Sequence, residues 1–159
     1  MEMIRNILSW NEILTVSILG WLTAQLIKTA ISSILTGKLQ LERMVGDGGM
    51  PSAHSATVCA MVVATGRLEG VHSSLFAVAC VVAIITMHDA MGVRHETGEQ
   101  AKVLNNIIEM WLEENESRSP FLQTMHLKEM VGHTPLQVYA GLIVGAAVGF
   151  LYPLSGVLA

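Results

Sequence analysis

Two short stretches of the chain carry the residues of a reactive centre. One is GDGGMPSAHS, residues 46–55, set between long apolar runs; the other is Gly132-His133-Thr134-Pro135. Each reads as a helix start, with Ser52 or Thr134 as cap and Pro51 or Pro135 beside the first turn. A helix N-terminus presents unpaired N–H groups and the positive end of the helix dipole, so it draws anions. Each start also carries a histidine, a side chain that exchanges protons near neutral pH. Gly48 and Gly49 let the backbone approach a ligand closely. The first turn therefore suits a phosphate-like anion, with His54 placed to exchange a proton with it. The plain alternative is that Ser52 only caps and His54 is an interfacial histidine. Lys28, inside the first apolar run, is a further candidate. A lysine within a span costs roughly 2.5–3.5 kcal/mol on insertion scales, so it faces a partner or cavity, or else snorkels to the interface.

Positioning these groups falls to the apolar runs. Of 159 residues, 52% are hydrophobic and 14% charged, against about 25% charged in an average soluble domain. The mean hydropathy is +0.52. The length fits one domain, residues 1–159. The first run, residues 13–35, is long enough to cross a bilayer, which takes about 20 residues. The second and third, 51–66 and 73–87, are short for spans taken singly. The fourth, 136–158, has no charge and carries Gly141, Gly145 and Gly149 at four-residue spacing. That stripe is a close-packing face for a neighbouring helix, or for a second copy in an oligomer. In the polar stretch 92–134, Val103, Leu104, Ile107, Ile108, Trp111 and Leu112 recur at helical spacing. They predict an amphipathic helix lying on the membrane surface or on the bundle. The expected fold is all-α: an integral-membrane helical bundle of about four transmembrane helices plus the amphipathic interfacial helix. A compact soluble bundle is the alternative, and the uncharged fourth run argues against it. Cys59 and Cys80 lie in apolar runs and read as small buried hydrophobes. A net charge of −4 gives no case for nucleic acid. The start, MEMIRNILSWNE, has no cleavable signal pattern.

Four spans joined by short turns alternate in direction. Such a path brings Lys28, the GGMPSAH turn, Asp89 with Arg94, and the GHTP turn to one membrane side. The other side receives both termini and the 67–72 turn, which hold little chemistry. The site side also holds Lys38, Arg43, Lys102, Arg118 and Lys128, against Arg5 and Arg67 opposite. A positive-inside count would put the site in the cytoplasm, although several of those charges are candidates for the site itself.

"GGMPSAHS" resembles the P-S-G-H motif of the type 2 phosphatidic acid phosphatases, which share their site with vanadium-dependent haloperoxidases. "GHTPLQVYAGLIVG" is similar to the closing motif of that superfamily, H-x-x-x-D followed by V-x-x-G and a second glycine. Taken in order, "GGMPSAHSA", "HDAMGVRHETGEQAKVLN" and "LKEMVGHTP" resemble the divergent branch of the superfamily, small membrane proteins, over residues 22–149. The resemblance implies hydrolysis of a lipid phosphate or pyrophosphate through a phosphohistidine, with no metal and no cofactor. His133 would attack phosphorus in line. His54 would protonate the leaving oxygen and then activate water. Ser52 and the backbone N–H groups of Ser52 and Ala53 would hold equatorial oxygens, with Lys28 and an arginine neutralising their charge. The implied partners are the lipid substrate and the surrounding lipids, and the implied location is the cell membrane.

The chain departs from that pattern at named positions. The arginine-proline pair expected shortly after the lysine is missing, and the next arginine is Arg43, fifteen residues on. The serine-arginine pair expected ahead of the nucleophile falls at His126-Leu127, which leaves Lys128 or Arg94 to supply the charge. The carboxylate that orients the nucleophile is replaced by Gln137, which can accept a hydrogen bond but brings no charge. Asp89 either supplies that carboxylate or pairs with Arg94. The alternative to a phosphatase is therefore a non-catalytic relative that binds phospholipid headgroups or assembles with other membrane proteins. Vanadate-dependent halogenation is disfavoured by the small membrane-bound chain.

Overall fold

The computed structural model describes residues 11–40, 44, 48–114, 125–129 and 132–154. These form five helices: α1 Glu12–Thr36, α2 Ala53–Glu69, α3 Ser74–Met91, α4 Val93–Glu114 and α5 Pro135–Leu151. No strand occurs among the described residues. Side-chain caps set the starts: Asn11 Oδ1 accepts from Leu14 N–H at 2.9 Å, and Ser73 Oγ accepts from Phe76 N–H at 3.1 Å. α1 stops at Gly37, whose φ of 65° is left-handed. α5 ends at Leu151, well short of the expected residue 158. Tyr152 turns extended ahead of Pro153, which has no N–H to continue the ladder.

Two helical stretches, Glu12–Thr36 and Ser74–Leu112, are long and apolar enough to cross a membrane, and α5 is a shorter apolar helix. The distribution of side-chain size says what surrounds them. The buried core is built largely of small residues, among them Ala24, Ala53, Ala56, Ala60, Ala64, Ala79 and Ala83, with Val16, Val138 and Leu154 as larger members. Large apolar side chains such as Leu26, Ile84, Ile85 and Ile143 face outward. An outer surface of this kind suits hydrocarbon, and small residues let helix backbones approach where lipid competes for every apolar contact.

α2 is the central helix and packs against α1, α3 and α5. The glycine stripe of α5 lies on it. Gly141 sits over Ser52 and Ser55, Gly145 over Ala56, and Gly149 over Ala60 and Val63. All three glycines are buried within the chain. The face that the sequence offered for oligomer contact is thus taken up by α2 of the same molecule. At the far end, Arg67 donates to the carbonyls of Gly149, Phe150 and Tyr152 at 2.6, 3.1 and 2.9 Å. Those are the free carbonyls at the end of α5, so a residue assigned no role from sequence caps a helix.

α4 follows α3 after one residue, Gly92, whose φ and ψ of −98° and −96° break the helix. Among the described residues α4 packs on no helix but α3. Its apolar face, Val103, Leu104, Ile107, Met110 and Trp111, is exposed rather than laid on the bundle.

Candidate active site

The site ends of α2, α3 and α5 meet through backbone atoms. Ser52 N–H donates to Gln137 C=O at 2.9 Å, which ties the start of α2 to the start of α5. His133 N–H donates to Ala90 C=O at 2.9 Å, which ties the residue before α5 to the last turn of α3. On α1, Lys28 is buried, and its Cγ and Cδ lie 3.5 Å from where a Gly49 Cβ would stand. The glycine therefore lies directly against the lysine stem. It has φ +81°, a conformation other residues rarely adopt.

Between these ends sit the two histidines. The ring centroids of His54 and His133 are 5.7 Å apart, at an interplanar angle of 79°. His133 is only 2% exposed, whereas His54, in the first turn of α2, is half-buried. Gly132 makes this placement possible. Its φ is +83°, and a Cβ there would overlap the Arg94–His95 backbone. The segment carrying His133 therefore docks on the start of α4 through a residue that has to be glycine.

Other expected groups are placed differently. Ser52 is wholly buried; its Oγ accepts from Ser55 N–H at 3.3 Å and its own N–H is taken by Gln137. Of the two backbone N–H groups expected on a phosphate, that leaves the one of Ala53, the first residue of α2. Gln137 Oε1 accepts from Thr134 N–H at 3.1 Å, closing a capping box at the start of α5. The side chain expected to orient His133 thus completes a helix start. Asp89 pairs with Arg94 at 2.7 Å, both side chains part-exposed, which is one of the two arrangements left open for Asp89 and which engages Arg94. Lys128 is exposed. Arg43 and Arg118 lie outside the described residues.

A cavity of about 200 Å³ opens between Gly48 and Gly49, the start of α5 at Thr134 and Gln137, and α4 at His95, Glu99 and Lys102. At its rim Lys102 Nζ and Glu99 Oε1 are 2.7 Å apart. Their hydrogen bond and charges hold the Glu99 carboxyl below its ordinary range and the Lys102 ammonium above its own. Both are exposed, so the pair adds little to the fold. Cys59 and Cys80 are free thiols lining an apolar groove of about 330 Å³ between α2, α3 and α5.

Asn105 was missed from sequence. It is 4% exposed on α4 and grips the segment leading to His133. Its Nδ2 donates to Leu127 C=O at 3.0 Å and to Glu129 Oε1 at 2.8 Å, while its Oδ1 accepts from Leu127 N–H at 3.0 Å. A signal was present: Gly98, Ala101 and Asn105 form a short-side-chain stripe along α4, opposite its apolar face, and all three are buried. Such a stripe marks where another stretch of chain comes close.

The profile of the family described as the divergent PAP2 family matches residues 9–148. The chain is 41% identical over 128 residues to the uncharacterized membrane protein YuiD of Bacillus subtilis (strain 168), covering 77% of this chain and 81% of that protein. No solved structure matches.

Proposed function

The chain belongs to the divergent PAP2 family, and from that footing we propose that it is a membrane phosphatase acting on a lipid phosphate or pyrophosphate through a phosphohistidine. The observation that carries this reading is the pair of histidine rings 5.7 Å apart, each beside a helix start, at the end of the bundle where Lys28 is buried. One phosphoryl group can reach both rings. His133 attacks phosphorus in line while His54 protonates the departing lipid oxygen. His54, now neutral, takes a proton from water, which attacks the phosphohistidine and frees His133 and phosphate. The Ala53 N–H, the positive end of α2 and Lys28 hold the charge on the equatorial oxygens. α1, α2, α3 and α5 cross the cell membrane in alternating directions, so a phosphorylated headgroup meets the site while its hydrocarbon stays in lipid.

Phosphate release from a panel of lipid phosphates by purified wild type and His133→Ala tests this. Wild type is expected to release phosphate and His133→Ala to release none. One observation favours a second reading, headgroup binding without turnover. The Gln137 side-chain oxygen is engaged in the capping box and Asp89 is on Arg94, so both groups expected to orient His133 are already engaged elsewhere. Saturable lipid-phosphate binding by wild type with no phosphate released would put that second reading ahead.

A further inference from the structure

We infer that Asn105 is a positioning residue for His133, and that α4 serves as the platform on which the nucleophile is held. As a statement about turnover this rests on the phosphatase reading; as a statement about geometry it does not.

The hydrogen bonds of Asn105 have the pattern of a backbone pairing. Its amide exchanges two bonds with Leu127, one in each direction, as a strand neighbour would, and its second N–H reaches Glu129. A nearly buried amide with three good bonds fixes both the position and the direction of residues 125–129. Six residues after Leu127 comes His133. There the chain is fixed again, by Gly132 against the Arg94–His95 backbone and by His133 N–H on Ala90 C=O. The approach to His133 is therefore clipped at both ends to the α3–α4 elbow. α5 alone would leave His133 outside its first turn, preceding the Thr134 cap. Asn105 touches no reacting atom in this scheme; it acts through the segment it holds.

The chemistry of the clip suggests its own test. Asn105→Asp keeps the acceptor for Leu127 N–H but removes both donors, and it sets a carboxylate against the Glu129 carboxylate. The other charged groups nearby are Lys102, one turn before on α4 and close enough to feel Glu129, then Glu99 on Lys102, His95 in the cavity wall, Glu109 one turn beyond, and Lys128 in the segment itself. At neutral pH the new pair repels and the clip opens. In acid the two carboxyls share one proton, and the O–H of one donates to the other, so the clip closes. Adding Glu129→Gln supplies an amide donor to the introduced carboxylate and closes the clip at every pH.

The experiment compares wild type, Asn105→Asp and Asn105→Asp/Glu129→Gln across pH, each value taken as a ratio to wild type at the same pH. In Asn105→Asp, kcat is expected to fall about 10²-fold near neutral pH, the scale of a misplaced reacting group, and to recover in acid. KM should stay close to wild type, because Ala53, Lys28 and the α2 dipole are not held by the clip. The double variant should restore kcat and flatten the ratio. In parallel, diethyl pyrocarbonate labelling of His133 is read by mass spectrometry: slow in wild type, fast in Asn105→Asp at neutral pH, slow again in the double variant. A loss of kcat that is equal at every pH and untouched by Glu129→Gln overturns the inference, as does unchanged His133 labelling in Asn105→Asp. If wild type releases no phosphate yet the labelling follows the expected pattern, the positioning role stands and the phosphatase reading falls.

Discussion

Gly145→Ala adds one methyl group to the contact between α2 and α5. The new Cβ would overlap the Ala56 carbonyl oxygen and stand 2.8 Å from both Ala56 Cα and its carbonyl carbon. Carbon atoms in contact normally sit about 3.5–4.0 Å apart, so the helices must separate by about 1 Å. Backbone has no rotamer with which to yield. Overpacking of this kind costs about 1–3 kcal/mol, and the better helix propensity of alanine returns up to about 1 kcal/mol. A net loss of up to about 2 kcal/mol is expected. Gly141→Ala meets the Ser52 carbonyl and lies 2.9 Å from Ser55 Cβ. It also pushes on the Ser52–Gln137 hydrogen bond, so phosphate release should suffer beyond what the stability loss explains. Gly149→Ala meets the Val63 side chain at 2.7 Å, a neighbour that yields more readily than backbone, and should cost least. Thermal unfolding in one detergent, followed by a thiol-reactive dye on buried Cys59, ranks the three. If Gly145→Ala melts above wild type, by the propensity gain alone, then α5 does not lie glycine-first on α2.

Arg67→Leu should destabilise by about 2 kcal/mol, since hydrogen bonds to a charged group are worth about 1.5–3 kcal/mol and this one serves three carbonyls at the end of α5. Lysine, a single point charge, should recover only part of that in the same melt. Phosphatase activity should survive chelators and be inhibited by vanadate, a mimic of five-coordinate phosphorus; activity lost to EDTA and restored by a divalent ion would end the phosphohistidine mechanism. His54→Ala should lose about 10²–10⁴-fold on a lipid phosphate but much less on nitrophenyl phosphate, whose leaving group needs little protonation; equal losses on both would remove its acid role. Cysteines at positions 5, 67 and 118 should label from opposite sides of the membrane, 118 against the other two, and labelling of all three from one side would sink the four-span path.

The helices were legible because their signals are local. Caps at Ser52 and Thr134 and the long apolar runs place α1, α2, α3 and the start of α5 to within a few residues, and the Gly141–Gly145–Gly149 period shows a packing face without showing its partner. That partner, α2, is a matter of which surface lies nearest in three dimensions. The same limit explains the site. His54, His133 and Lys28 announce themselves by residue type and by sitting at helix starts or inside an apolar run. What Gln137 and Ser52 do there was not legible, because either side chain can face a ligand or close a cap, and only the geometry of the turn decides. Asn105 was hidden for a related reason. Its role depends on a segment more than twenty residues away in sequence; the Gly98–Ala101–Asn105 stripe marks a close approach but does not say which stretch of chain makes it.

The frame of the site is made of backbone rather than side chains. Ser52 N–H on Gln137 C=O joins α2 to α5, and His133 N–H on Ala90 C=O joins the approach to α5 with α3. Those bonds are indifferent to the residue type at 54 or 133, so histidine-to-alanine changes should leave the frame standing and report on chemistry. They are not indifferent to Gly132, whose φ and contact with Arg94–His95 admit no side chain. Within that frame, the departures at Gln137 and in the missing arginine touch charge and orientation, while the meeting of two helix starts and two histidines is left whole.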